Sequence, residues 1–380
     1  MIPLTTPLSS LLPLVLATLW ALLIALFAVP SIVYVAHLKH LLDAPNERTV
    51  HRSLTPRLGG VAVLAGFFSA LTIFAPLANG VQHLLAGCLL LFFVGVKDDL
   101  VTISVAKKFV GQLLATGIVL LMADVRITSF QGIMGIGTLP VGLSYGFTFL
   151  VIVGITNAIN LIDGLDGLAG SLIVLSASTF GYYFFRYGGS DSGNYAFVAA
   201  CLLGGTVGFL RYNFHHARIF MGDTGSLVCG FIVSVLAIRF IELGNTGHQL
   251  TGYATPALAV AILFVPLFDT TRVFLVRMAA GRSPFRPDKN HVHHCLLALG
   301  FSQIGVVLTL GLFNLALLLV VSHYAYLGNA VLLSALLLLG VALGVGLGVW
   351  QRYPASQSAT SARLQLDLQN SSPQMVTEAA

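Results

Sequence analysis

In the stretch NAINLIDGLDGLAG, residues 157–170, Asn157, Asn160, Asp163 and Asp166 recur at three-residue steps. Such steps keep neighbouring members on one helical surface while the face drifts round. Asp98 and Asp99 stand in GVKDDL, Asp223 in FMGDTGS, and His291, His293 and His294 in HVHH. Hard carboxylate oxygens suit Mg²⁺, which takes one or two protein carboxylates and fills its octahedron with water and phosphate oxygens. Asp223 is followed by Thr224, Gly225 and Ser226 at the start of an apolar run, where free backbone amides favour a phosphate. HVHH lacks the i, i+4 histidine pair with a neighbouring Glu that marks many zinc hydrolases. Its imidazoles, with Arg282, Arg286 and Lys289 near them in the chain, suit hydrogen-bond donors to phosphate or sugar oxygens. The set points to a metal ion together with a diphosphate. The plainer alternative makes each Asp a helix cap and HVHH part of an exposed basic loop beside lipid headgroups.

The elements that must carry these residues are membrane helices. The chain has 380 residues, 57% hydrophobic and 9% charged, against about 25% charged in an ordinary soluble domain. Eleven apolar stretches, near 12–36, 58–78, 81–97, 105–123, 145–162, 166–187, 194–211, 225–243, 252–276, 304–323 and 328–350, approach the length of roughly 20 residues needed to span a bilayer. The expected fold is therefore an all-α polytopic membrane protein. With the N-terminus outside, the inside loops 37–57, 97–108, 211–224 and 277–302 hold 4, 3, 2 and 4 Lys plus Arg and the tail from 351 holds 2, so 15 of the 19 lie on one side. That bias is the one the positive-inside rule requires, with the C-terminus cytoplasmic. The net charge of +5 then needs no nucleic acid, because anionic lipid and anionic substrate explain it. All the acidic and histidine motifs fall at the inside ends of their helices. Ionisable groups placed there are expensive, and a site is the default explanation.

The opening stretch has no Lys or Arg before Lys39, so it reads as a first span and not a cleavable signal. Residues 124–144 mix β-branched residues with Gly and Pro, as a short external hairpin does. The expected organisation is one catalytic transmembrane domain, 1–350, and a disordered cytoplasmic tail, 351–380, too polar to bury a core. Cys88, Cys201, Cys229 and Cys295 have no CxxC spacing and imply neither disulfides nor a zinc knuckle. No internal repeat or interrupted helix pair is evident.

Four motifs in order, DAPNERTVHRSLTPRLGG, VKDDL, NAINLIDGLDGLAG and FMGDTGS, followed by PDKNHVHHCLLALG, give the sequence its resemblance from about residue 40 to 302. It resembles the polyprenyl-phosphate N-acetylhexosamine-1-phosphate transferases, which also include the phospho-N-acetylmuramoyl-pentapeptide transferases. The HVHH loop, with DKN before it and LLALG after it, is similar to the N-acetylglucosamine-1-phosphate branch. The resemblance implies a reaction of UDP-N-acetylhexosamine with a membrane polyprenyl phosphate that releases UMP and starts a cell-envelope glycopolymer. It implies Mg²⁺, with Mn²⁺ as a substitute, a cell (inner) membrane location and a site facing the cytoplasm. Homodimerisation is left open. By the same resemblance Asp98, Asp99, Asp163 and Asp166 are catalytic and Asp223 is the metal ligand. Asn160, Asn213, His291, His293, His294 and Lys107 are the expected substrate contacts. Arg57, before Gly59 and Gly60, either touches donor or lipid phosphate or belongs to a basic loop that anchors the inside. Direct attack by the ionised acceptor phosphate is the favoured route, with an aspartyl intermediate as the alternative.

Two readings from other classes compete. An ion-coupled transporter would use Asp and Asn to hold a cation and substrate, but at the midplane and with broken helices. A membrane metallopeptidase would rest on HVHH alone. Asp269 and Arg272, near the end of the ninth stretch, either line the site or pair with each other.

Overall fold

The computed structural model describes residues 8–42, 55–245, 250, 253–283 and 290–370, with residues 8–10 and 351–370 as backbone alone. Arg286, Lys289 and residues 43–54 of the first motif lie outside the described residues. The chain forms α1 (Leu8–Leu38), α2 (Gly59–Phe74), α3 (Val81–Val101), α4 (Val105–Ala123), α5 (Val141–Ile162), α6 (Leu168–Tyr187) and α7 (Gly189–Ser192). It continues through α8 (Asn194–Asn213), α9 (Gly222–Glu242), α10 (Thr255–Ile262), α11 (Phe264–Ala279), α12 (Val292–Ala298), α13 (Gln303–His323) and α14 (Asn329–Asn370). Every apolar stretch coincides with one of these helices or, for 252–276, with the pair α10 and α11. Among the described residues eight helices are long and apolar enough to cross a membrane, or nine if α10 and α11 form one span. The other two stretches are α2, which is shorter, and α3, which ends in Lys97, Asp98 and Asp99. The all-α class follows from the solvent: where lipid offers no hydrogen bonds, a helix satisfies its own backbone.

The chain divides into two units, Met1–Ser334 and Ala335–Ala380. Within the first, α1 packs on α2 and α8, α3 on α4 and α9, α5 on α9, and α6 on α8. The most apolar stretch of α9 is 89% buried, against 22% for α1. Helix α9 is apolar all round because it runs through the protein interior, whereas α1 is apolar because much of it faces lipid. Close approach to the start of α9 depends on small residues: a methyl group added at Gly60 would overlap the backbone of Gly225, and one at Gly95 the backbone of Thr224. The expected hairpin is present. Ser129 and Thr138 form an antiparallel bridge, and Phe130 N–H donates to the Gly137 carbonyl at 2.9 Å.

One interrupted helix is present where none is evident in the sequence. Helices α10 and α11 meet at 76° about Leu263. Pro266, in the first turn of α11, has no N–H to give the Ile262 carbonyl four residues back. Asn314 of α13, fully buried, fills the gap. Its Nδ2 donates to the Ile262 carbonyl at 2.9 Å and the Ala261 carbonyl at 3.3 Å, and its Oδ1 accepts from Val265 N–H at 3.0 Å. Replacing Asn314 by Leu removes these hydrogen bonds, and each buried group thereby left unsatisfied costs about 1–3 kcal/mol. The thermal unfolding midpoint of purified Asn314→Leu should fall well below that of the wild type. An unchanged midpoint would mean that Asn314 does not hold the bend.

Candidate active site

The first turn of α9 is the centre of the site. Every helix start leaves backbone N–H groups without intrahelical partners, and here Asp99 of α3 takes them. Its carboxylate accepts from Asp223 N–H at 2.8 Å, Thr224 N–H at 2.9 Å and the Thr224 hydroxyl. A negative charge at that end of the helix dipole is favourable as well. This overturns one expectation: the amides of Asp223 and Thr224 are not open to a phosphate, because Asp99 occupies them. Gly222 permits the arrangement. Its φ is +70°, and an added methyl would run into the Arg57 carbonyl and the Asp99 carboxylate. Residues 56–60 lie alongside, with Phe220 N–H donating to Pro56 O and Gly59 N–H to Phe220 O, both at 2.8 Å.

Asp98 and Asp99 are adjacent in sequence but have different surroundings. Asp98 is buried, accepts Ile103 N–H at 2.7 Å and faces Lys108 Nζ at 2.7 Å. The same ammonium lies 3.2 Å from Asp223 Oδ2. The other oxygen of Asp223 accepts from Asn160 Nδ2 at 2.7 Å, and that amide also donates to the Ser226 hydroxyl at 2.8 Å. The basic residue at the site is therefore Lys108, one place beyond the expected Lys107, whose side chain is exposed. Helical register explains the shift: of the consecutive pair in VAKKF, only the second projects toward α3 and α9.

The chain leaves α5 at Asp163 and enters α6 after Gly167. Burial, then the charges of Asp223, Asp99 and Asp166, push the Asp163 carboxyl well above the usual range, while Arg57 acts in the opposite direction. Asp163 thus belongs to the same carboxylate cluster, and Arg57, exposed, borders it. Asp166 accepts Ala217 N–H at 3.1 Å. Asn213 positions the backbone: its Oδ1 accepts Gly167 N–H and its Nδ2 donates to the Ile219 carbonyl, both at 2.9 Å. Both ends of the amide tie loops together instead of pointing at a ligand. Asn157 likewise pairs with Gln112 of α4 at 2.8 Å.

The histidines form a ladder. His291 and His293 stack at 5.7 Å between ring centroids, and His293 and His294 lie at 4.3 Å. His293 is 1% exposed, and neither ring nitrogen has a hydrogen-bond partner among the described residues. A methyl group added at Gly164, between Asp163 and Leu165, would lie 2.9 Å from His293 Nε2. The ladder therefore meets the carboxylate loop. Burial, followed by the neighbouring His294, pushes the His293 pKa down to about 3, so the ring is neutral. Asp269 and Arg272, for which lining the site and mutual pairing were both open, each hold the histidine segment.

A helix start, four carboxylates, a lysine and a histidine ladder are thus in one place. The family model described as glycosyl transferase family 4 matches residues 81–241. The probable undecaprenyl-phosphate N-acetylglucosaminyl 1-phosphate transferase of Bacillus subtilis is 34% identical over 76% of this chain and 78% of its own length. The chain belongs to glycosyl transferase family 4. The decaprenyl-phosphate N-acetylglucosaminephosphotransferase of Mycobacterium tuberculosis is 34% identical over 78% of either chain. The undecaprenyl-phosphate alpha-N-acetylglucosaminyl 1-phosphate transferase of Escherichia coli K12 is 30% identical over 75% of this chain and 77% of its own. The family 4 segment runs from α3 to the end of α9 and includes the Asp99, Lys108, Asn160 and Asp223 contacts, but not the histidine ladder.

In this family 4 protein, Asp99→Asn would offer one acceptor and an unwanted donor to three donors. Loss of a hydrogen bond to a charged group costs about 1.5–3 kcal/mol, so a clearly lower thermal midpoint is expected. Wild-type stability in Asp99→Asn would show that α9 does not depend on this cap.

Proposed function

We propose that this chain transfers N-acetylglucosamine 1-phosphate from UDP-N-acetylglucosamine to a polyprenyl phosphate, releasing UMP, at the cytoplasmic face of the cell (inner) membrane. The observation that carries the reading is Lys108 bridging Asp98 and Asp223 at the ends of membrane helices, beside Asn160 and Asp163. The named activities of the relatives above agree with it, and the Lys and Arg bias supports the side. A soluble anionic donor and a lipid-tethered acceptor can meet only where membrane and cytoplasm meet.

The acceptor phosphate oxygen forms a bond to the sugar-bearing phosphorus of the donor. The bond from that phosphorus to the bridging oxygen breaks, and its electron pair leaves with UMP. A phosphate monoester has its second ionisation near pH 6, so the acceptor is largely dianionic near neutral pH. Where a proton remains, Asp98 or Asp99 would take it. Lys108 supplies positive charge where negative charge moves during transfer. The histidine ladder lies against the Asp163 loop and provides imidazole nitrogens for the donor's sugar and phosphate oxygens.

The residues fit a divalent cation. Asp98, Asp99, Asp163 and Asp223 outnumber Lys108 and Arg57 in the cluster, and burial, then the charges of Asp223, Asp99 and Asp166, raise the Asp163 carboxyl. Among the described residues no three His, Cys, Asp or Glu side chains are grouped as a complete metal cage. Carboxylate oxygens suit Mg²⁺, which needs one or two of them and fills its shell with water and phosphate oxygens. Asp223, with Asp163 beside it, would hold the ion, which when bound neutralises diphosphate charge and assists departure of UMP.

Purified protein in detergent, given Mg²⁺, undecaprenyl phosphate and UDP-N-acetylglucosamine, should release UMP only when the lipid is present. Asp223→Asn should lose nearly all turnover, Asp98→Asn most of it, and Lys108→Met at least about tenfold. UMP release by folded Asp223→Asn at the wild-type rate would refute the site. Absence of UMP with every UDP-N-acetylhexosamine would refute the function.

A further inference from the structure

Asp269 and Arg272 reach three consecutive residues of the histidine segment. They are three apart on α11 and so share one helical face. Arg272 Nη1 donates to the Asn290 carbonyl at 2.6 Å. Asp269 Oδ1 accepts Val292 N–H at 2.8 Å, and its Oδ2 lies 2.8 Å from His291 Nδ1. Asp269 is 1% exposed and Arg272 5%. His291 is the N-terminal flanking residue of α12, and its own side chain caps nothing there. Asp269 therefore acts in two ways, of which capping α12 through Val292 needs only one oxygen. The second oxygen is given to a ring nitrogen.

We propose that Asp269 is a positioning residue for transfer: it keeps the His291 proton on Nδ1, so that Nε2 is the nitrogen presented to the donor. A carboxylate accepts but does not donate, so His291 Nδ1 must be the donor in this pair. Nε2 is then a bare acceptor on the neutral ring, suited to a sugar hydroxyl or acetamido N–H, and a donor only on the charged ring. The same contact fixes the start of α12 and hence His293, which reaches Gly164 beside Asp163. Arg272 holds the preceding residue, so the histidine ladder is held from one face of a helix whose own start is set by Asn314. The proposal rests on the reading above that the ladder meets the UDP-sugar.

Asp269→Asn is the direct test. An amide has one acceptor where two donors arrive, and its NH₂ favours the opposite His291 tautomer. Donor KM should rise about tenfold or more with kcat changed far less, which is the pattern of lost binding. His291→Asn should do the same, and Asp269→Asn/His291→Asn should be no worse than either single variant, since the two residues act as one unit. Wild-type kinetic constants in folded Asp269→Asn, or effects that multiply in the double variant, would overturn the proposal. Should Asp269→Asn fail to fold, the test falls to wild-type protein labelled with nitrogen-15 histidine, the His291 signals being assigned by their loss in His291→Asn. A protonated Nδ1 is expected, and an unprotonated Nδ1 would overturn the proposal whatever the enzyme's activity. Failure of the wild type to release UMP would instead strike the functional reading.

Discussion

Asp99 accepts three hydrogen bonds from the first turn of α9, and the rest of the site inherits its geometry from them. The N–H of Asp223 is one of the donors, so the backbone that carries the central carboxylate cannot move without breaking its own cap. Gly60 and Gly95 allow α2 and α3 to approach until only backbone separates them from α9. Larger residues would push α3 outward and withdraw Asp99 from the helix start. Packing and polar satisfaction thus impose the same distance, which is why the acidic groups stay crowded despite their repulsion.

That crowding also separates the roles of the acids. In lipid surroundings a buried charge without a partner is costly, and each acidic side chain here is matched to a particular compensation. Asp99 is matched to backbone amides, Asp98 to Lys108, and Asp223 to Lys108 and Asn160. Asp163, whose neighbours are mainly other carboxylates, is the least compensated. A site in which every acid was fully paired would be stable but would have no attraction left for a metal ion. The uneven pairing leaves Asp163, beside Asp223, as the acid that a divalent cation of the kind proposed above would relieve most.

The membrane helices were legible in the sequence because apolar length is a one-dimensional signal, and the eleven stretches coincide with helices. The clustering of Asp98, Asn160, Asp163 and Asp223 was legible because helix ends on one side of a bilayer must be neighbours. Which lysine reaches them was not, since Lys107 and Lys108 differ only in helical phase. The role of Asn213 depends on loops 46 residues apart meeting, which no local pattern reveals. The bend at Leu263 had a signal in Pro266, but a proline in an apolar run does not show whether the helix kinks slightly or turns by 76°. That outcome depends on Asn314, 49 residues beyond Val265. The free helix start at Asp223 was plausible only while the position of Asp99 was unknown.

The two parts of the site are supported differently, and the difference follows from where each can obtain rigidity. The acidic cluster sits on the ends of α3, α5 and α9, of which α3 and α5 each pack on α9, a helix buried along most of its length. The histidines lie at the start of α12, a helix only seven residues long between the bent helix and α13. A helix of two turns has little stability of its own, so its placement must come from outside. Asp269 and Arg272 supply it, and they can do so because Asn314 satisfies the backbone opened by Pro266 and allows α11 to leave the line of α10. The polar groups buried in α11 and α13 are therefore a single chain of support, running from the bend to the histidine ladder. Their expense in an apolar environment is the cost of holding three imidazoles against a carboxylate loop contributed by another part of the chain.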